Sequence, residues 1–523
     1  MKRMFHRFLG LTVAIMLLLT SVSGAFAQGD ELSGTITVCV LARAGAQEAW
    51  EAVSKAYMQM HPNVNIALDL KANDGYGDWI TNVGLLENPD VDIAEFFSAA
   101  FDHSRLLVLS DYIDLDSPYS DGTWGDQIET NALTTSSVTG EQVCLSMFST
   151  QVMWIYNRDI FEKVGVEPPA TWDEFVEVCE KLSAAGYRPI ATSYDTAFGS
   201  GWLPWIYLDQ STRPLINLYR AHEGDFCYDP DVDGVWEYDP TDPWNDDEDK
   251  VNQNIVRVLA AVRDGDYALN TPGYKTAWTN FSKIFPAYAG GDAFFAQQGS
   301  DGIDDAFYKQ EAAMTLQGGW ALISFQRTLD EVKESGIYTD EEGNQVESTG
   351  FELGTFVMPT MSGEGLAADA RSIEVPTSGF SVLNKDQAHN DLVVDFLMYY
   401  TSVEGMSLYV DSLLEAGGAL DGPILVKGVE FPSHYAPLYE NLKSIGNCQK
   451  GYGHIFAVGV PAVEESAREF KNAAYEFLNG RTDVDTFLNL AEENVKTYLP
   501  ILQQIVNISD EDLNNPASAP VGY

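Results

Sequence analysis

The chain has 523 residues, with 30 Lys and Arg against 78 Asp and Glu and a formal net charge of −48. A surface this negative is repelled by phosphate backbones and anionic lipid, which excludes nucleic-acid and membrane-surface binding as leading functions. With 45% hydrophobic and 12% aromatic residues it can build ordinary cores, and at roughly 100–200 residues per domain it divides into two to four compact units.

Residues 1–27 begin with the basic stretch Met1-Lys-Arg-Met-Phe-His-Arg7, run apolar from Phe8 to Val22, and end Ala25-Phe26-Ala27. These are the three parts of a secretory signal peptide. The apolar run is interrupted by Gly10, Thr12 and Thr20 and is shorter than the ~20 residues of a membrane span. An extracytoplasmic protein is expected, in a periplasm or at a cell surface. No lipid-attachment Cys follows the apolar run, because the first Cys is Cys39.

Thr35–Val40 reads as a strand, and residues 46–60 place Ala46, Ala49, Trp50, Val53, Tyr57 and Met60 on one helical face. After His61-Pro62, Ile66, Leu68 and Leu70 alternate as a second strand, which makes a βαβ unit and hence a parallel sheet. Val91–Phe97 reads as a third strand. Thr171-Trp-Asp-Glu174 is a capping box, opening a helix whose buried stripe is Phe175, Val178, Cys179 and Leu182. Residues 391–400 form another amphipathic helix through Val393, Phe396, Leu397 and Tyr400. The class is α/β. The segment 225–250, dense in Asp, Pro and Trp, reads as an insertion, and 514–523 as a frayed tail.

Few residues suggest covalent chemistry. The His residues beyond the signal are isolated, and no H-E-x-x-H, G-x-S-x-G or Cys/His cluster occurs, so no enzyme is expected. Cys39 and Cys179 fall on apolar faces and read as buried thiols; a single bridge among Cys144, Cys227 and Cys448 stays open. Several aromatics stand beside Gly, Asn or Asp instead of in apolar stripes: Tyr76 and Trp79, Trp202 and Trp205, and Trp320. Loops that mix rings with polar side chains suit carbohydrate, whose C–H faces stack while its hydroxyls hydrogen-bond. Asp229-Pro-Asp231-Val-Asp233-Gly234 repeats the opening of a calcium loop and reads as a structural Ca²⁺ site. Its twelfth position, however, is Pro240, with Asp239 one place early. No other cofactor is expected.

The run Val152-Met-Trp-Ile-Tyr-Asn-Arg-Asp159, Phe161-Glu-Lys-Val-Gly165, Pro168-Pro-Ala-Thr-Trp-Asp-Glu-Phe175 resembles the central signature of extracellular solute-binding proteins of carbohydrate ABC transporters. Glu311-Ala-Ala-Met-Thr-Leu-Gln-Gly-Gly-Trp320, Ser378-Gly-Phe-Ser-Val-Leu-Asn-Lys385 and Thr401-Ser-Val-Glu-Gly405 are similar to further pieces of that family, in order. The resemblance implies a two-lobed periplasmic-binding-protein type II fold, with hinge strands, a central ligand cleft and a monomeric state. It implies a first lobe of 28–150 plus about 325–384, and a second of 151–324 plus about 385–513. It implies a sugar as ligand and ABC permease subunits as partners. Trp320 matches the family's sugar-stacking Trp. Phe96 and Phe97 occupy a region where the family places a Trp, Gln151 falls near a hydroxyl-binding position, and Asp195 and Trp202 fall in the second-lobe binding loop. Phe456 lies near a later cleft aromatic. Two alternatives remain: a binder of a non-sugar solute such as a glycerol phosphate, and a secreted carbohydrate-active hydrolase.

Overall fold

The computed structural model describes residues 32–520 apart from 73, 96–101, 137–140, 248–249, 297–301, 440–441, 450–451 and 453–454. The 1–27 segment, Phe96 and Phe97 lie outside the described residues.

In β1 (Gly34–Leu41), Ile36, Val38 and Val40 enter one core, while Cys39 joins a smaller cluster on the opposite face. This is the period-2 alternation of a strand covered on both sides. The helix Ala46–Met60 lays Ala49, Trp50, Val53 and Tyr57 against the same core, as the sequence stripe requires. Trp50 meets Tyr400 at 4.7 Å and Phe380 edge-on at 5.3 Å between ring centroids. β2 (Val64–Lys71) pairs in parallel with β1 from Gly34–Val64 to Leu41–Lys71, so the expected βαβ unit forms. β3 (Ile93–Ala94) is shorter than the strand read over Val91–Phe97, and it too runs parallel to β1.

β4 (Leu133–Thr135) leads into the sixteen-residue β5 (Gln142–Asn157). β5 joins the two lobes physically: Leu145, Met147 and Phe148 belong to the first core, and Val152 and Trp154 to the second. The helix Trp172–Ala184 follows, and its capping box is present, with Thr171 Oγ1 accepting from Glu174 N at 3.3 Å and Glu174 Oε2 accepting from Thr171 N at 3.0 Å. The second lobe contributes β6 (Arg188–Ala191) and β7 (Ala312–Gly318), which are parallel. A small hairpin follows, β8 (Ile337–Thr339) with β9 (Gln345–Glu347), and then β10 (Leu353–Phe356). β11 (Glu374–Val382) returns antiparallel to β5, from Glu374–Gln151 to Phe380–Leu145, and ends beside β3. Among the described residues the mixed sheet is ordered β2-β1-β3-β11-β5-β7-β6, with β4 and β10 pairing on β5.

The apolar clusters redraw the expected division of the chain. Phe396, Tyr400, Met406 and Leu425 pack in the first core, whereas residues beyond about 385 were assigned to the second lobe. Phe356, Met358 and Ile373 pack in the second core, and Phe325 and Leu329 in its neighbouring cluster with Met153 and Ile155. The physical reason is β11. It carries the chain back to the first lobe at Phe380 and Val382, so the helices Gln387–Tyr400 and Val403–Glu415 cover β1 rather than the second sheet half.

Cys39, Cys144, Cys179 and Cys227 form no disulfide, and Cys39 and Cys179 are buried as read. The insertion 225–250 is fastened from beneath by Arg371, 2% exposed, which donates to both Asp209 and Asp246.

Candidate functional site

In open α/β sheets ligands bind outside the carboxyl ends of the parallel strands. Those ends release Arg43 after β1, Glu95 after β3, Asp195 after β6 and Trp320 after β7. On the first-lobe side, Arg43 links Glu95 to Asp421. Arg43 lies 3.6 Å from both Glu95 and Asp421, and a Cβ at Gly319 would stand 3.0 Å from the Asp421 carbonyl.

A cavity of about 580 Å³ opens at the second-lobe side, and Asp195, Trp202, Asp304, Gln317 and Trp320 line it. Three residues singled out from sequence therefore meet in one place. The Trp202 and Trp320 rings are 5.7 Å apart between centroids and inclined by 59°. Trp320 is 36% exposed, unusual for so large an apolar side chain. Its ring folds back over its own strand: a Cβ at Gly318 would lie 2.1 Å from the ring, so only Gly fits there. Asp195 opens a π-helical turn, Asp195–Gly199, and accepts a hydrogen bond from Lys471 Nζ at 2.6 Å.

Asp304 carries no motif, and Gln317, though inside the Glu311–Trp320 run, was not singled out; its place as a polar residue before two Gly at the end of β7 was the available signal. Burial, reinforced by the charge of Glu341, pushes the Asp304 carboxyl up to about 6 against the pull of a hydrogen bond from Gln317. Its Oδ1 is buried and has no hydrogen-bond partner among the described residues.

A second cavity, about 500 Å³, follows the open edge of β11 and touches both lobes through Arg43, Glu95, Cys144, Ser378 and Trp244. Trp244 belongs to the 225–250 insertion, which thereby becomes a wall of this space. Tyr76 and Trp79 stand behind it: Tyr76 Oη accepts from Glu95 N at 3.1 Å, and the two rings are 5.1 Å apart. Burial raises the Glu95 carboxyl, Arg43 opposes the rise, and Asp421 adds to it.

Three readings need correction. Gln151 turns away from both cavities and donates Nε2 to the Lys443 carbonyl at 2.9 Å. Its neighbour Thr150 instead approaches Gly319, because successive strand residues face opposite ways. Phe456 is 0% exposed, packed against Tyr267 in the second core, so it is a core residue. The Asp229, Asp231 and Asp233 carboxylates do not converge. Asp233 accepts from Asp229 N, Asn252 N and Asn252 Nδ2, and Asp229 accepts from Asp231 N, which makes an ordinary acid-rich turn. Among the described residues no group of three or more His, Cys, Asp or Glu could hold a metal ion.

A family model described as bacterial extracellular solute-binding protein matches residues 43–407. The multiple sugar-binding protein of Streptococcus mutans is 23% identical over 276 residues, which cover 52% of this chain and 49% of that protein. The sn-glycerol-3-phosphate-binding periplasmic protein of Salmonella typhimurium is 39% identical over 64 residues, 12% of this chain and 13% of that protein. The chain thus spans half or less of the length of the curated relatives it matches. The crystal structure of the cyclic alpha-maltosyl-1,6-maltose binding protein from Arthrobacter globiformis has a TM-score of 0.54 at 16% identity, over 89% of this chain and 99% of that one; the likeness is one of fold.

Proposed function

The chain belongs to the bacterial extracellular solute-binding proteins, and from that premise we propose that it captures an oligosaccharide between its lobes and delivers it to an ABC importer. The observation that carries this reading is the Trp202–Trp320 pair beside Asp195, Asp304 and Gln317. Two inclined rings offer stacking surfaces to sugar C–H faces, and the adjacent side chains accept or donate to hydroxyls. A relative that binds a glycerol phosphate does not redirect the reading. Among the described residues neither Lys nor Arg lines this cavity, so a phosphate would find no counter-charge.

The reading is one of capture without catalysis, in keeping with the family. Of the two carboxylates that line the cavity, Asp195 is engaged by Lys471 at 2.6 Å, which holds it as a fixed acceptor. The lobes are joined by β5 and β11, so ligand contacts from both sides shift the population towards a closed form. A permease reading the closed form needs a difference of only a few kcal/mol between the two states. The 1–27 pattern supports export, and among the described residues no helix is long and apolar enough to cross a membrane.

A thermal-shift panel of oligosaccharides tests the reading. At one hundred times its Kd, a cleft ligand adds about 2.7 kcal/mol, and the sugar recovered afterwards is expected unchanged in mass. A complete panel without a shift, or a hydrolysed product, would overturn it.

A further inference from the structure

The aromatic cavity holds a carboxylate that no cation among the described residues neutralises. Of its two carboxylates, Asp195 is bound by Lys471 Nζ at 2.6 Å. Among the described residues Asp304 has no such partner: Gln317 pulls on it only as an amide donor, and the nearby charges of Glu341 and Asp305 are of the same sign. Lys309, one turn further on, is held 2.8 Å from Asp340 and 3.6 Å from Asp305. Among the described residues neither Lys nor Arg lines the cavity.

A neutral ligand filling this space would strip water from an already half-buried carboxylate and return only hydroxyl hydrogen bonds. A protonated amine would cancel the charge and meet the faces of Trp202 and Trp320, whose quadrupoles attract cations. The chain's net charge of −48 also favours the approach of a cation. Resting on the sugar reading above, we propose that the ligand is an amino sugar, or an oligosaccharide carrying one, with its ammonium seated on Asp304 beside the Trp202–Trp320 pair.

Calorimetry at pH 6.5 with matched pairs tests this: glucosamine, galactosamine and mannosamine, and the trimer of β-1,4-linked glucosamine, each against its neutral hydroxyl parent. In at least one pair the amino form is expected to bind at least tenfold tighter. That gap is expected to narrow with added salt, and to shrink to within threefold in Asp304→Asn, whose melting curve confirms that it folds. If the variant does not fold, the pair difference and its salt dependence in the unaltered protein decide alone. Neutral parents binding as tightly as the amino forms in every pair would overturn the amino-sugar assignment and leave sugar capture standing. Binding of no sugar of either kind would overturn both.

Discussion

Arg371 Nη1 donates to Asp246 Oδ1 at 2.6 Å, which ties the acidic insertion to the segment that leads into β11. The same guanidinium donates through Nε to Asp209 at 2.8 Å, so one cation serves two buried carboxylates on different stretches of chain. The insertion carries Trp244 into the second cavity, and its placement depends on this centre.

Arg371→Ala removes the guanidinium that both buried carboxylates, Asp209 and Asp246, accept from, and is expected to destabilise the protein by about 3–5 kcal/mol. Urea unfolding measures the loss. A change under 1 kcal/mol would show that the insertion is held by other contacts.

Trp320→Ala is expected to weaken sugar binding by about 1–3 kcal/mol, because the variant loses one face of the ring pair while its backbone is unaltered. Since Trp320 is already 36% exposed, its melting temperature should change little. Unchanged affinity in the folded variant would remove this ring from the site.

Gly318→Ala tests placement of the same ring without deleting it. The added Cβ would lie 2.1 Å from Trp320, so the ring must move. A loss of about tenfold in affinity, near 1.4 kcal/mol, is expected with an overpacking cost of about 1–3 kcal/mol in stability. Retained affinity would mean that the ring's position is not used.

Asp304 predicts a pH dependence of stability in the ligand-free protein. Its folded value of about 6 lies above the ordinary carboxyl value of 3.8. Its contribution is therefore fully present below about pH 4 and is lost as the pH rises through 6. Asp304→Asn should equal the parent near pH 4 and exceed it by about 1–2 kcal/mol at pH 7.5, the lower figure reflecting solvent access. Guanidinium or urea titrations at the two pH values check this; equal stabilities at pH 7.5 would show that the charge is not penalised.

Local pattern made much of the architecture legible. The Trp50–Tyr57 stripe, the β1–β2 alternation and the Thr171 capping box rest on interactions within a few residues, and all three form. Lobe membership does not rest on such interactions. Phe396 and Phe356 look alike in sequence, and only the path of β11 decides which core each enters. In the site, Trp202 and Trp320 stood out by residue type beside Gly and polar neighbours, and Asp195 through the family resemblance alone. Asp304 did not, because nothing in Gly302-Ile303-Asp304-Asp305 distinguishes the carboxylate that lines the cavity from the one bonded to Tyr338 Oη. Gln151 and Thr150 differ by one strand position and face opposite sides of the sheet, so a side chain's direction depends on register that residue type does not show.

The most direct measurement is isothermal titration of the protein with oligosaccharides, parent and Trp320→Ala side by side, with the sugar recovered and weighed by mass spectrometry. One-to-one binding in the parent, weakened at least tenfold in the variant, with intact sugar recovered, is the expected result. Equal binding in both proteins, or a sugar shortened by the incubation, would contradict capture at the Trp202–Trp320 pair.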